Sequence, residues 1–357
     1  MGEYRGKQVV EVNNVNRFHL SMLIFCLIGA LVLSSGTQFD RANPIAAADG
    51  KQTGSTPLPY QSFMMSANKV ANALYLAGDL AGDRVILVGE RGLVLRSTDR
   101  GKNFEQVPAP TRRLLSDVEL REDGVAIAVG HESTILRSQD GGETWQVVYH
   151  DPEQDLALFS VADEGEGNWV AVGAFGLVLV SSDDGVTWEQ FLVSEDGPHL
   201  YSVRVHSEGL LAVGEFGSLF SSKDHGENWK MLPVPYEGTL FDILIMKDRW
   251  ILMGLRGNLW EGNASEWKQI DHGSEATLFG GAMLTDDTVI VVGAEGVTLI
   301  RSPETGEWTH KIIQEKDRRL LSAPLPLLDN SVLGLGEKGF RWIFGRGNQG
   351  TGEGEGR

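Results

Sequence analysis

The sequence predicts an all-β chain, a seven-bladed β-propeller of four-stranded antiparallel blades, and three observations carry that expectation. A Gly-x-x-Gly phrase returns seven times, its first glycines at Gly89, Gly130, Gly173, Gly214, Gly254, Gly293 and Gly336, in steps of 41, 43, 41, 40, 39 and 43 residues. A period near 40 is the length of one four-stranded repeat unit. Short apolar runs flank each phrase, such as 85–88 before and 93–95 after the first, or 169–172 and 177–180 around the third. These runs have strand length and are too short for helices. The third observation is a Ser-x-Asp-x-Gly-x-x-aromatic box after most phrases.

Each unit supplies its strands in order. The inner strand begins at a Leu-aromatic or Leu-Leu pair, at positions 74–75, 114–115, 158–159, 200–201, 240–241, 278–279 and 320–321. The two runs around Gly-x-x-Gly form the second and third strands, and a fourth follows the box, as at Gln146-Val147-Val148. Radial repetition of such sheets leaves few exposed edges. The seventh unit runs out after 340–344 without a fourth strand, while 57–65 precedes the first inner strand without a partner. That segment is therefore expected to be the outermost strand of blade seven, closing the ring.

The box reads Ser97-x-Asp99-x-Gly101-x-x-Phe104, and then with Trp at its end for Asp140, Asp183 and Asp224. It decays in unit five to Trp267, and in unit six to a copy one residue short, ending at Trp308. A short Asp accepts hydrogen bonds from the amides of its own turn, glycine permits a positive φ, and the aromatic buries itself beneath the hairpin. Asp99, Asp140, Asp183 and Asp224 are accordingly read as structural turn staples and not as catalytic acids.

The box is the Asp-box, or bacterial neuraminidase repeat. Its pairing with Val-Gly-x-x-Gly over seven units, as in 172–188, resembles the photosystem II stability and assembly factor family across about Leu74 to Phe344. The resemblance implies a seven-bladed propeller on the lumenal or periplasmic side of a membrane that helps assemble membrane protein complexes. Relatives in bacteria without photosystems mean that it implies the scaffold more firmly than a photosynthetic role. Departures are Ser133, where the second glycine is missing, and the eroded boxes of blades five and six.

Targeting agrees with export. Residues 1–19 form a basic n-region with Arg5, Lys7, Arg17 and His19, and 20–36 contains the apolar run Leu20 to Leu33. This is the order of an export signal, either cleaved or retained as an anchor; the run is shorter than the roughly 20 residues of a membrane span. The basic flank directs the propeller outward. Residues 37–56 read as a linker, 57–345 as the propeller and 346–357 as a flexible polar tail. The expected location is the periplasm or a lumen, with anchoring by 20–36 if the signal stays uncleaved. Cys26, the sole cysteine, lies in the apolar run, so the exported part has no disulfide.

The net charge is −18, and the first 48 residues hold slightly more basic than acidic groups, so the acidity belongs to the propeller. Such a field excludes nucleic acid as a general partner. Against this background, blades seven, one and two should bring Arg318, Arg319, Lys338, Arg91, Arg112, Arg113 and His131 to one sector of the Gly-x-x-Gly face. Phe175 and Phe216 add aromatics on blades three and four. Arginine and aromatics suit an interface centre, which makes these nine residues the candidate docking site for a membrane protein or a nascent subunit. The competing reading is that Glu90, Glu132 and Glu337 neutralise the arginines in weak surface pairs.

Enzyme chemistry finds little support. No arginine is followed by Ile-Pro as a sialidase resemblance would require, and seven blades differ from the sialidase six. Glu90, Glu132, Glu215, Glu295 and Glu337 ring one face, which keeps carbohydrate binding or a two-carboxylate glycosidase as the alternative. The eight histidines show no ligand spacing and no helix follows the glycines, so no metal, phosphate loop or other cofactor is expected.

Overall fold

The computed structural model describes residues 61–194, 197–311 and 317–345. The expected n-region, export segment and linker, residues 57–60 and the tail lie outside the described residues. Among the described residues no helix is long and apolar enough to cross a membrane.

Seven antiparallel sheets follow one another along the chain, each ordered from inside to outside as the chain runs. Their inner strands are Tyr75–Ala81, Leu115–Leu120, Leu158–Gly165, Leu200–His206, Leu240–Ile245, Leu278–Met283 and Leu321–Pro326. Six blades have four strands. The second strands explain the apolar runs: Val85 to Val88, Trp169 to Val172 and Val289 to Val292 are fully buried, because a strand inside a blade packs on both faces.

Seven clusters of apolar side chains fill the spaces between neighbouring blades. Ile86 and Val88 of blade one meet Leu115 and Ala128 of blade two. Ile127 and Val129 of blade two pack with Trp169 and Trp188 of blade three. The ring closes in the same way, with Tyr75, Leu87 and Leu95 of blade one against Leu325, Leu333 and Leu335 of blade seven. Each buried Leu, Val or Ile contributes about 1.5–3 kcal/mol relative to exposure, so closure rests on a core as apolar as any other blade pair.

This closure differs from the expectation. Blade seven has three strands among the described residues, Leu321–Pro326, Val332–Gly336 and Gly339–Phe344. Residues 61–65, expected on its outer edge, are coil and attach to blade one: the Ser62 amide donates to Ala109 O at 2.7 Å and the Met65 amide to Gln106 Oε1 at 2.8 Å. A short helix, Ala67–Ala71, then leads to the first inner strand. The polar side chain of Gln106 captures that backbone before it reaches blade seven, an attachment that strand counting does not detect.

Polar groups of the inner strands link the blades into a hoop. Asp79 accepts from the Leu120 amide at 2.7 Å, joining blades one and two. Asp117 accepts from Ser160 Oγ at 2.9 Å and from the Val161 amide at 3.1 Å, joining two and three. Asp242 takes Ser202 Oγ at 2.7 Å on one side and the Gly281 amide at 3.1 Å on the other, spanning blades four to six. Ser322 Oγ donates to Tyr75 O at 2.8 Å across the closing pair.

At the far end of the third strands, the boxes are self-contained. In blade three, Ser181 Oγ donates to Asp183 Oδ1 at 2.9 Å and accepts from the Gly185 amide at 3.0 Å. Asp183 also accepts from the amide and the hydroxyl of Thr187, at 2.8 and 2.5 Å. Trp188 Nε1 donates to Gly185 O at 3.1 Å with the indole 1 % exposed. Asp99, Asp140 and Asp224 repeat the scheme with Asn103, Thr144 and Asn228. These donors hold Asp99 down at about 2, and depress Asp140, Asp183 and Asp224 against the opposing effect of burial. Arg96 and Arg137, in the third strands of blades one and two, reach the next blade's box at Gly141 O and Asp184 O, 3.0 and 2.7 Å away.

Candidate functional site

The Gly-x-x-Gly turns form a crown around the opposite end of the ring. In each, the first interior residue donates its amide to the carbonyl at the head of its own inner strand. The seven pairs are Glu90 to Leu74, His131 to Leu114, Ala174 to Ala157, Glu215 to His199, Leu255 to Thr239, Ala294 to Thr277 and Glu337 to Leu320. The first glycine is required by proximity: a Cβ on Gly214 would sit 2.0 Å from His199 O. These partners also correct a register. In blades one, two and seven the residue at the strand head is Leu74, Leu114 or Leu320, one place later than Ala73, Arg113 and Arg319, because Leu-Leu and Leu-Tyr doublets leave two ways to align the strand.

The second interior residue is left-handed in every blade: Arg91 (φ 59°), Glu132 (57°), Phe175 (54°), Phe216 (57°), Arg256 (56°), Glu295 (56°) and Lys338 (56°). That conformation costs a side chain with a Cβ on the order of 1 kcal/mol, while glycine adopts it freely. None of the seven positions holds glycine or asparagine. In blade two the next position is also non-glycine, and Ser133 (φ 48°) donates its amide to Leu156 O at 2.6 Å. The crown thus carries bulky, charged or aromatic groups in a turn that would be cheaper without them.

Of the predicted docking residues, the crown presents Arg91, Lys338, Phe175 and Phe216 outward. The Arg91 side chain is 69 % exposed, with Glu90 at 3.9 Å, and Lys338 is exposed without an ion pair among the described residues. Phe216 is 74 % and Phe175 48 % exposed. The Phe175 amide donates to His199 Nδ1 at 2.9 Å and its ring stands edge-on to the imidazole at 4.5 Å, while burial pushes the His199 pKa down and favours the neutral acceptor.

The remaining cations are partly engaged. Arg113 pairs with Glu132 at 2.5 Å and Arg318 with Glu295 at 3.2 Å. Arg319 is held by Asp317 at 2.7 Å and donates to Lys338 O at 3.2 Å. The Arg112 guanidinium lies 3.8 Å from the Phe63 ring centroid and donates to Gln61 O at 2.9 Å. His131 is largely buried, which lowers its pKa, and its Nε2 has no partner. The sector is therefore a positive rim with two free projections, Arg91 and Lys338, and several cations already sharing carboxylates.

The ring of glutamates has other work. Glu90, Glu215 and Glu337 accept from the amides at the strand heads, Leu74, His199 and Leu320, at 3.2, 3.2 and 3.0 Å. Glu132 and Glu295 hold Arg113 and Arg318. None of the five stands as a free acid and base pair across a cleft. Among the described residues no group of three or more His, Cys, Asp or Glu is arranged to hold a metal.

Two features escaped the sequence reading. Arg256 is a crown residue on blade five, and its place as the second residue of a Gly-x-x-Gly interior was the available signal. The second is an arc of aromatic rings at the heads of the inner strands of blades three to six. Phe159 to Tyr201, Tyr201 to Phe241 and Phe241 to Phe279 are 5.2, 5.2 and 5.4 Å between centroids. Their Leu-aromatic pairs read only as strand-formers.

Comparison with known proteins agrees with this architecture. The chain is similar in fold to a structure described as YCF48 bound to D1 peptide, at 18 % identity and TM-score 0.64, covering 77 % of this chain and 94 % of that one. YCF48 from Cyanidioschyzon merolae gives 16 % identity and TM-score 0.63, with 78 % and 97 % covered. A streptogramin B lyase matches as well in shape, at 12 % identity and TM-score 0.66, with 80 % and 98 % covered, so shape alone does not select a chemistry. No curated protein sequence matches significantly. Residues 95–107 match the BNR-Asp box repeat, and residues 105–319 match the sequence model of the photosynthesis system II assembly factor YCF48. That second match spans more than half of the chain, which thus belongs to the YCF48 family of Asp-box propellers.

Proposed function

We propose that this protein is a non-enzymatic exported scaffold that holds a segment of a membrane-protein subunit against its Gly-x-x-Gly crown while a complex assembles. The observation that carries the reading is the crown itself, where Arg91, Phe175, Phe216 and Lys338 project from left-handed positions that the fold would fill more cheaply with glycine. Family membership supports the same class of role, and the family relative bound to a D1 peptide supports an extended peptide of a photosystem subunit as the partner. The basic then apolar order of residues 1–36 supports placement on the outer side of the membrane, cleaved or anchored.

Rigid presentation suffices as the mechanism. The crown backbone is fixed by the seven amide-to-strand-head bonds, so binding needs little reordering of the protein and the ordering cost falls on the peptide. Exposed aromatics supply area at low side-chain entropy, and the two free cations select acidic segments.

The test is crosslinking in intact membranes of the source organism, comparing wild type with an Arg91→Glu, Phe216→Asn, Lys338→Glu variant whose melting is unchanged. Capture of a membrane-protein subunit by wild type, lost in the variant, is the expected result. Equal capture by both would remove the crown as the docking face, and capture of a photosystem subunit would fix the pathway.

A further inference from the structure

The channel beneath the crown has two properties that peptide docking on the rim leaves unexplained. Its mouth is aromatic on one side only: Phe159, Tyr201, Phe241 and Phe279 occupy one structural position in blades three to six, where blades one, two and seven have Leu76, Ser116 and Ser322. Below it, the channel is acidic. Asp79, Glu119 and Arg204 lie three residues further along their inner strands, on the order of 10 Å deeper at the rise of a β-strand. With Asp117 and Asp242, one residue beyond the arc position, four carboxylates face a single guanidinium.

The charges do not balance. Arg204 is committed to Asp242 at 3.0 Å and donates to Ser160 Oγ at 3.3 Å and Val203 O at 3.1 Å. Asp117 and Asp79 are occupied as acceptors in the hoop. Glu119 accepts no hydrogen bond among the described residues, although protein surrounds it on nearly every side. Burial, with repulsion from Asp79 and Asp117, pushes its pKa well up, and burial pushes Asp79 to about 6. A surplus of negative charge is thus confined in a low-dielectric channel whose entrance is lined by ring faces, themselves the negative side of an aromatic quadrupole.

We propose that the channel mouth binds an organic cation, an alkylammonium or guanidinium group, seated against Tyr201, Phe241 and Phe279 and drawn inward by Glu119. Cation–π contact and an unneutralised carboxylate act in the same direction here, and an ion of this width carries an apolar stem that suits the arc. The source of the group is either a free polyamine or a Lys or Arg side chain of a protein. This site is separate from the rim, so it does not depend on the crown partner.

The experiment is calorimetric titration of the full chain at low salt with spermidine, with N-acetyl-arginine amide, and with the uncharged N-acetyl-norleucine amide. Binding of either cation, with norleucine amide silent, is the expected result; spermidine alone identifies a free amine, and the arginine amide identifies a protein side chain. Phe241→Leu and Glu119→Gln, both checked by melting, should each weaken binding roughly five-fold, the scale of a partly desolvated cation–π contact or ion pair. Arg91→Glu with Lys338→Glu should leave it unchanged. Absence of cation binding up to about 10 mM, equal binding of norleucine amide, or wild-type affinity in Phe241→Leu and Glu119→Gln would overturn the proposal.

Discussion

The two ends of each third strand make opposite use of the repeat. At one end, Asp99, Asp140, Asp183 and Asp224 keep their identity from blade to blade, and every polar atom of the box is spent on its own turn. At the other end the backbone is kept while the residue changes, so that Arg91, Glu132, Phe175, Phe216, Arg256, Glu295 and Lys338 share one conformation and no chemistry. Constant residues at constant geometry report a structural requirement. Varied residues at a constant and costly geometry report a surface left for function.

The largest expected effects fall where backbone or core is tight. Gly214→Ala places a Cβ against His199 O, and Trp188→Ala empties a site 1 % exposed; each should cost about 3–5 kcal/mol, read as a lowered denaturant midpoint. Asp183→Ala removes the acceptor of the Thr187 amide and hydroxyl and the Ser181 hydroxyl, with an expected loss of about 1–3 kcal/mol. If the box aspartates were not turn staples, that variant would unfold at the wild-type midpoint.

The pH dependence should separate box from channel. Asp99 is held at about 2, below its unfolded value near 3.8, so its contribution is present above that value and disappears as pH falls toward 2. Asp79 is pushed the other way, to about 6, so its contribution is full below 3.8 and is lost as pH rises through 6. Unfolding measured from pH 4 to 8 should therefore show a decline near 6 that Asp79→Asn removes and Asp99→Asn leaves in place. Smallest is the crown: Phe216→Asn should leave stability unchanged or raise it by up to about 1 kcal/mol, because asparagine tolerates the left-handed turn, while partner capture falls. A clear destabilisation would return Phe216 to the architecture.

The repeat made most of the fold readable, because its steps, its glycines and its box each answer to a local constraint: a Cβ excluded by a carbonyl, a turn fed by one carboxylate. Closure was not readable, since the attachment of 61–65 depends on Gln106 and Ala109, residues of no recognisable type. In the candidate site, sequence position placed Arg91, Phe175, Phe216 and Lys338 on the crown, but the pairing of Arg113 and Arg319 depended on side-chain reach. The aromatic arc stayed hidden because Phe241 and Phe279 satisfy a strand pattern whether or not they line a channel.

The hydrogen bond from Ser322 to Tyr75 joins residues 247 apart in sequence, and the apolar cluster around it contains the first and last blades. Until the last strands leave the ribosome or the export channel, Leu87 and Leu95 have no cover, and a chain stalled anywhere before Leu333 carries an open hydrophobic flank. Biogenesis of this protein is consequently an all-or-none event governed by its C-terminal blade. A factor that chaperones others must itself be shielded until its final forty residues arrive, which makes export and folding inseparable in time.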